Sequence, residues 1–132
     1  MADLDKKEGF FKGVFLVASL YDLILGIIFL TMYKAVYSYF NIALPTYPMY
    51  LQMSAAFVFA IGVGYYFVYR NMYRNIDLIK LGVVYKATYS IVASYFYFIG
   101  IAHVLFFWFV IFDVIFLVLF VWFLVYARNK EY

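Results

Sequence analysis

The 132-residue chain contains no cysteine and only one histidine, His103. The missing cysteines exclude disulfide scaffolds, zinc ribbons, iron–sulfur clusters, thiol redox pairs and covalent haem attachment. One histidine cannot build a di-histidine metal or haem site, so we expect His103 to bind a metal only with groups from another chain. The sequence also lacks a serine–histidine–acid set, a phosphate-binding glycine loop and metal-ligand spacing. Nothing in it positively indicates an enzyme or a cofactor held by this chain alone.

Charged residues are scarce as well, at 13% of the chain against roughly 25% in an average soluble domain. Hydrophobic residues make up 70%, where about 45–50% is usual. A soluble domain of this length exposes much of its surface, which then has to be polar. The composition therefore predicts an integral membrane protein. Its net charge of +3 indicates contact with lipid head groups and not with nucleic acid.

Four apolar stretches have the length of about 20 residues that a helix needs to cross a bilayer. They cover about 13–33, 51–69, 81–101 and 104–126, without the alternation typical of a transmembrane β-barrel. We predict an all-α fold, a four-helix transmembrane bundle that forms a single domain over residues 1–132. The N-terminal segment has mixed charges and no small-residue cleavage site, so we expect the first span to stay in the membrane.

The basic residues predict an orientation for these spans. Eight of them lie beside the termini and the connection between the second and third spans, whereas the first outer loop holds only Lys34. The eight are Lys6, Lys7, Lys12, Arg70, Arg74, Lys80, Arg128 and Lys130. The positive-inside rule then places both termini in the cytoplasm. We expect a multi-pass protein of a prokaryotic cytoplasmic membrane.

Three charged residues fall inside the spans: Asp22, Lys86 and Asp113. Charges at this depth are costly, and they commonly mark functional sites. Lys86 is about one helical turn, roughly 6 Å, from the level of Asp113, so its side chain can reach that carboxylate. Asp22 lies near the same level, and two carboxylates with one ammonium favour a proton on one of the acids. Two interpretations stay open, a structural clamp between helices or a cluster that handles protons or a ligand.

Small and polar residues accompany these charges. Ser19, Tyr21, Tyr89 and Ser90 are candidate supporting residues, because their spacing puts them near the charged positions. The second span carries Ala56, Ala60 and Gly64 at four-residue intervals, which predicts a face for close helix approach.

Four segments of the chain resemble the DoxX-like group of small four-helix membrane proteins, including its BphX-like members. They are SLYDLILGI (19–27), RNIDLIKLGVVYK (74–86), YFYFIGIAH (95–103) and VIFDVIFLVLF (110–120). The resemblance implies a loose association with membrane oxidoreductases and quinone-linked complexes. It also implies that Asp22, Lys86 and Asp113 are the positions to test.

Aromatic residues reach 27%, more than two interfacial belts require. Such surface suits packing against rigid partners. We therefore predict a non-enzymatic subunit or anchor of a larger membrane complex, redox- or quinone-linked, that contacts lipid or a quinone. Its partners would be the bilayer and other membrane subunits or further copies of itself. The alternative is a small proton- or ion-coupled transporter or channel that uses Asp22, Lys86 and Asp113.

Overall fold

A computed structural model describes residues 2–131 and the side chains of residues 6–129. Within this range the chain forms five α-helices and one 3₁₀ turn, and the described residues contain no strand. The helices are α1 (Ala2–Thr31), α2 (Tyr33–Tyr39), α3 (Pro48–Arg70), α4 (Ile76–Phe98) and α5 (Val104–Glu131), with the 3₁₀ turn at Tyr73–Asn75. The all-α class is thus confirmed. The first and last residues of the predicted domain and the side chain of Lys130 lie outside the described residues.

Three of the helices contain segments long and apolar enough to cross a membrane, namely Lys6–Thr31, Pro48–Arg70 and Val104–Asn129. They indicate a membrane protein. Helix α4 has a similar length of 23 residues, but its lysines, tyrosines and serines make it less apolar than the other three. Three of the four predicted spans therefore coincide with such segments, and the third predicted span, in α4, does not.

Several helix boundaries differ from the ends of the predicted spans. Helix α1 begins at Ala2, well before the predicted start of the first span at residue 13. The lysines, glutamate and leucine between residues 2 and 12 are good helix formers in water and extend the helix beyond the apolar segment. The first outer loop contains α2, which buries Tyr33 and Tyr37 in a cluster with Phe29. After α2, Asn41 adopts a left-handed φ of 56°, and Pro48 opens α3 at the start of its first turn, where proline is tolerated.

Helices α4 and α5 are joined by a tight turn. Gly100 has a φ of +84°, which favours glycine, and the amide of Ile101 donates to the carbonyl of Phe96 at 2.9 Å. Helix α4 ends at Phe98, three residues before the end of the predicted third span at 101. The short turn makes α4 and α5 antiparallel neighbours along their length.

The long helices pack mainly as two pairs, α1 with α3 and α4 with α5. Glycines allow the first pair to approach closely: a Cβ on Gly26 would lie 2.8 Å from the backbone nitrogen of Phe59, and one on Gly62 would lie 2.9 Å from that of Leu23. The predicted Ala56, Ala60 and Gly64 face is therefore wrong as a contact within the chain. Ala56 and Ala60 are exposed, and a Cβ on Gly64 would meet no atom within 4 Å. Compared with the predicted face, the inward side of α3 is shifted by about one residue, so that Ala55 and Gly62 are the buried small residues.

The half of the molecule nearest the chain termini is tightly packed. Its core is formed mainly by large side chains of α1, α3 and α5 that are at most 1% exposed, namely Phe11, Phe15, Tyr65, Val68, Phe120 and Phe123. The rings of Phe15 and Phe120 stack with centroids 4.9 Å apart. In the opposite half, next to α2, a second cluster of buried side chains contains Phe29, Tyr33, Tyr37 and Ala55.

Candidate functional site

Lys86 lies at the centre of the candidate site and is fully buried. Its Nζ donates a hydrogen bond to Asp113 Oδ1 at 2.9 Å and lies 3.7 Å from Asp22 Oδ2. Helices α1, α4 and α5 each contribute one charged residue. The structure therefore brings together the three charges that the sequence singles out.

The antiparallel turn explains the short contact between Lys86 and Asp113. The two residues stand 27 positions apart in sequence, on facing sides of α4 and α5, with the turn near Gly100 between them. Because the helices run in opposite directions from this turn, residues at similar distances from it lie at similar depth. The flexible stem of lysine spans the remaining helical turn.

Aromatic rings surround the ammonium group of Lys86. Its Nζ lies 5.1–5.8 Å from the ring centroids of Tyr21, Tyr65, Tyr85 and Phe116. Rings at this distance attract a cation through their electron-rich faces. Sequence reasoning identified Tyr21 but missed the other three. Phe116 could have been found one turn after Asp113, and Tyr85 is adjacent to Lys86, whereas nothing in α3 marks Tyr65.

Tyr65 reaches Lys86 because α4 has a glycine one turn away. A Cβ on Gly82 would lie 2.7 Å from the Tyr65 ring, so only glycine leaves room for the ring in this position. The Tyr65 hydroxyl is buried and has no hydrogen-bond partner among the described residues. The ring closes the site on the side of the packed core.

The two carboxylates are not equivalent. Asp113 accepts the hydrogen bond of Lys86, whereas Asp22 Oδ2 is buried and has no hydrogen-bond partner within the described part of the chain. Asp22 is only 2% exposed, so its carboxylate lies away from the surface of the protein. An unsatisfied buried carboxylate oxygen is costly, and such groups often have a functional reason.

A cavity of about 120 Å³ lies directly beside these carboxylates, on the side of α2. Asp22 and Asp113 line one end of it, and the rest of the lining is mostly apolar. The other lining residues are Tyr21, Leu25, Phe29, Leu51, Ser54, Ala55, Val58, Tyr85, Tyr89, Phe106 and Phe109. An apolar cavity of about 150 Å³ can hold benzene, so this one has the size for a small organic molecule.

The four predicted supporting residues have different surroundings. Tyr21 lines the cavity, and its hydroxyl has no hydrogen-bond partner among the described residues. Tyr89 also lines it, but its hydroxyl donates to the carbonyl of Phe106 at 3.2 Å and joins α4 to α5. Ser19 donates to the carbonyl of Gly62 at 2.8 Å and joins α1 to α3. Ser90 is buried and does not itself line the cavity, and its hydroxyl has no hydrogen-bond partner in the described range.

His103 lies away from this cluster, at the start of α5. Its Nδ1 accepts a hydrogen bond from the amide of Leu105 at 3.0 Å, which satisfies a free backbone donor of the first turn. The described residues contain no group of three histidine, aspartate or glutamate side chains that could hold a metal ion. That His103 could take part in a metal site only together with groups from another chain stays a prediction.

Comparison with protein-family models, with curated proteins and with solved structures gives no match to this chain. The resemblance to the DoxX-like group stays a prediction that depends on its four short segments. The charged residues and the cavity beside them are thus the basis for assigning a function.

Proposed function

We propose that the chain is a small proton-coupled transporter in which Asp22 is the carboxyl group that gains and loses the proton. The observation that carries this proposal is the position of Asp22 at the charged end of the cavity, where Oδ2 has no hydrogen-bond donor among the described residues. Asp113 holds Lys86 through the short hydrogen bond, so we assign it a positioning role. Intramembrane carboxyl groups of this kind commonly form proton and ion pathways.

The proposal includes α4 as the fourth membrane-spanning helix of a four-helix bundle. Its polar residues Lys86 and Ser90 are buried against the other helices, whereas Leu81, Val84 and Ile91 are between 52% and 70% exposed. A helix with its polar side inward and its apolar side outward suits a bundle in lipid, even where its mean hydropathy is modest. This arrangement explains why α4 is less apolar than its neighbours.

The distribution of basic residues supports an orientation with both termini in the cytoplasm. Arg70, Arg74 and Lys80 lie around the 3₁₀ turn at the same end of the molecule as Lys12 and Arg128. The cavity lies in the opposite half, next to α2 and Lys34. Protons and solutes would then enter the site from the non-cytoplasmic side, with the packed core closing the other.

A second candidate is the subunit or anchor of a quinone-linked complex. The observation that favours it is the apolar cavity wall together with the Tyr21 hydroxyl, which has no partner among the described residues. That hydroxyl could donate to a quinone carbonyl, and the rings around it would contact the flat head group. A subunit of this kind would be inactive alone and would purify in a fixed ratio with its partners.

The two functions are separated by a pH-jump experiment on purified protein in vesicles adsorbed to a capacitive sensor. We expect a transient current in the wild type when the external pH changes, because Asp22 takes up or releases charge inside the low-dielectric region. The current should fall to the level of empty vesicles in Asp22→Asn.

Asp77→Asn is the matched control, since this exposed carboxylate in the first turn of α4 undergoes the same chemical change far from the cavity. It should keep the full current. Gel filtration and circular dichroism should show that both variants are folded. A full current in Asp22→Asn would contradict the proposal, and no current in the wild type with a stoichiometric partner from native membranes would favour the complex subunit.

A further inference from the structure

We propose that the cavity binds a small monovalent organic cation, an ammonium group with compact apolar substituents, in exchange for the proton on Asp22. This inference rests on the proposed transporter function and names its substrate class. It is carried by three observations: the charge at the end of the cavity, the aromatic wall, and the lack of a group of three metal-binding side chains among the described residues.

The ionisable groups around the site carry one more negative charge than positive charges. Helix α1 contributes Tyr21 and Asp22, α3 contributes Tyr65, α4 contributes Tyr85, Lys86 and Tyr89, and α5 contributes Asp113. The phenols are neutral near pH 7, so two carboxylates face one ammonium group. In an interior from which water is excluded, this favours the uptake of one positive charge and disfavours anions.

The aromatic wall of the cavity favours an organic ammonium ion over a metal ion. Rings of Tyr21, Phe29, Tyr85, Phe106 and Phe109 line it, and aromatic faces bind alkylated ammonium groups well. Metal ions such as Ca²⁺ or Mg²⁺ require about six or more oxygen ligands. The described residues contain no group of three acidic or histidine side chains that could hold such an ion.

The same geometry gives the stoichiometry of the exchange. With the cavity empty of cation, a proton on Asp22 neutralises the site while Asp113 keeps its 2.9 Å hydrogen bond with Lys86. An ammonium group that enters the cavity places its charge beside Asp22 and displaces this proton into the water. One proton therefore leaves for each cation that binds, and no other bond is formed or broken.

The test is calorimetry of choline binding to the purified protein in buffers that differ in ionisation heat. We expect about one proton to be released per choline bound. The apparent Kd should fall by up to about tenfold for each unit by which the pH is raised, as long as Asp22 is protonated in the free protein. The uncharged isostere 3,3-dimethylbutan-1-ol should bind at least about tenfold more weakly, which corresponds to about 1.4 kcal/mol. Tetramethylammonium and propylammonium serve as further probes of the same class.

Two variants of cavity residues, with Asp77→Asn as the control, test whether choline binds in the cavity. Asp22→Asn should abolish both choline binding and proton release, while Asp77→Asn should leave both unchanged. Phe109→Leu, which removes one ring of the wall, should weaken choline binding. Equal binding of choline and its uncharged isostere, or choline binding that survives in Asp22→Asn, would overturn the inference.

The outcomes also separate this inference from the proposed function. A pH-jump current that depends on Asp22, with no binding of any of the three cations up to about 10 mM, would remove the substrate class and leave proton coupling standing. Choline binding without proton release or current would remove proton coupling and hence both proposals.

Discussion

At the scale of single residues, the central feature is a buried lysine that two acids share unequally. Lys86 is fully buried, and its short hydrogen bond goes to Asp113, while Asp22 lies 0.8 Å farther from Nζ, at 3.7 against 2.9 Å. Burying charge without a partner is costly, so each residue of the pair depends on the other. Asp113 and Asp22 should therefore differ in their effects on stability.

We predict that Asp113→Asn destabilises the protein far more than Asp22→Asn. Removing one member of a buried ion pair typically costs about 3–5 kcal/mol, because the other charge is left uncompensated. Thermal or denaturant unfolding in detergent micelles would measure this difference. The double variant Lys86→Met/Asp113→Asn should be less destabilised than the sum of the single variants. Equal losses for Asp113→Asn and Asp22→Asn would show that the acids share Lys86 equally.

The sequence predicted much of this site, but not its asymmetry. Apolar spans joined by a tight turn fix the depth of Lys86 and Asp113, which is why their proximity could be inferred from residue spacing alone. Helix rotation and side-chain torsions decide which acid comes within hydrogen-bond distance, and spacing does not encode them. Tyr65 could not be foreseen either, because its contact with the site depends on the space above Gly82 in a different helix.

At the scale of helices, the pairing of α1 with α3 depends on which small residues face the contact. Ala56, Ala60 and Gly64 have the spacing of a packing face, yet the contact uses Gly26 and Gly62. Both sides of α3 carry small residues, so the pattern alone does not choose between them. Tertiary packing decides which side of α3 faces α1, and this side is shifted by about one residue from the predicted one.

We predict opposite effects for alanine at two glycines of α3. In Gly62→Ala the new Cβ would lie 2.9 Å from the backbone nitrogen of Leu23 and 3.2 Å from the Cβ of Asp22. It should push α1 away, cost about 1–3 kcal/mol and reduce the pH-jump current. In Gly64→Ala the new Cβ would have no atom within 4 Å, and the alanine should raise helix stability by about 0.5–1 kcal/mol. Unfolding of the two variants in the same detergent checks the pair, and equal stability would contradict the observed helix rotation.

At the scale of the whole molecule, the two halves differ in packing and in charge. Large rings fill the half near the termini, and the cavity occupies the half next to α2. Most basic residues lie at the filled end. Together these features relate the open side of the site to one side of the membrane.

The proposed orientation predicts a labelling pattern for single cysteines. The chain has no native cysteine, so Lys34→Cys and Lys80→Cys each introduce one exposed thiol at opposite ends of the molecule. A membrane-impermeant maleimide should label Lys34→Cys in intact cells and Lys80→Cys only after permeabilisation. Labelling of both positions from the same side would contradict the proposed orientation, because α3 would then not cross the membrane between them.

The unequal lysine contacts also bear on how the helix pairs move relative to each other. Both ion pairs found among the described residues involve Lys86: one stays within the α4–α5 pair, and the other crosses from α4 to α1. A proton on Asp22 removes the attraction that crosses between the pairs and leaves the internal one intact. Neutralising this single carboxyl group thus weakens the contact between the two helix pairs and leaves the ion pair within the α4–α5 pair unchanged.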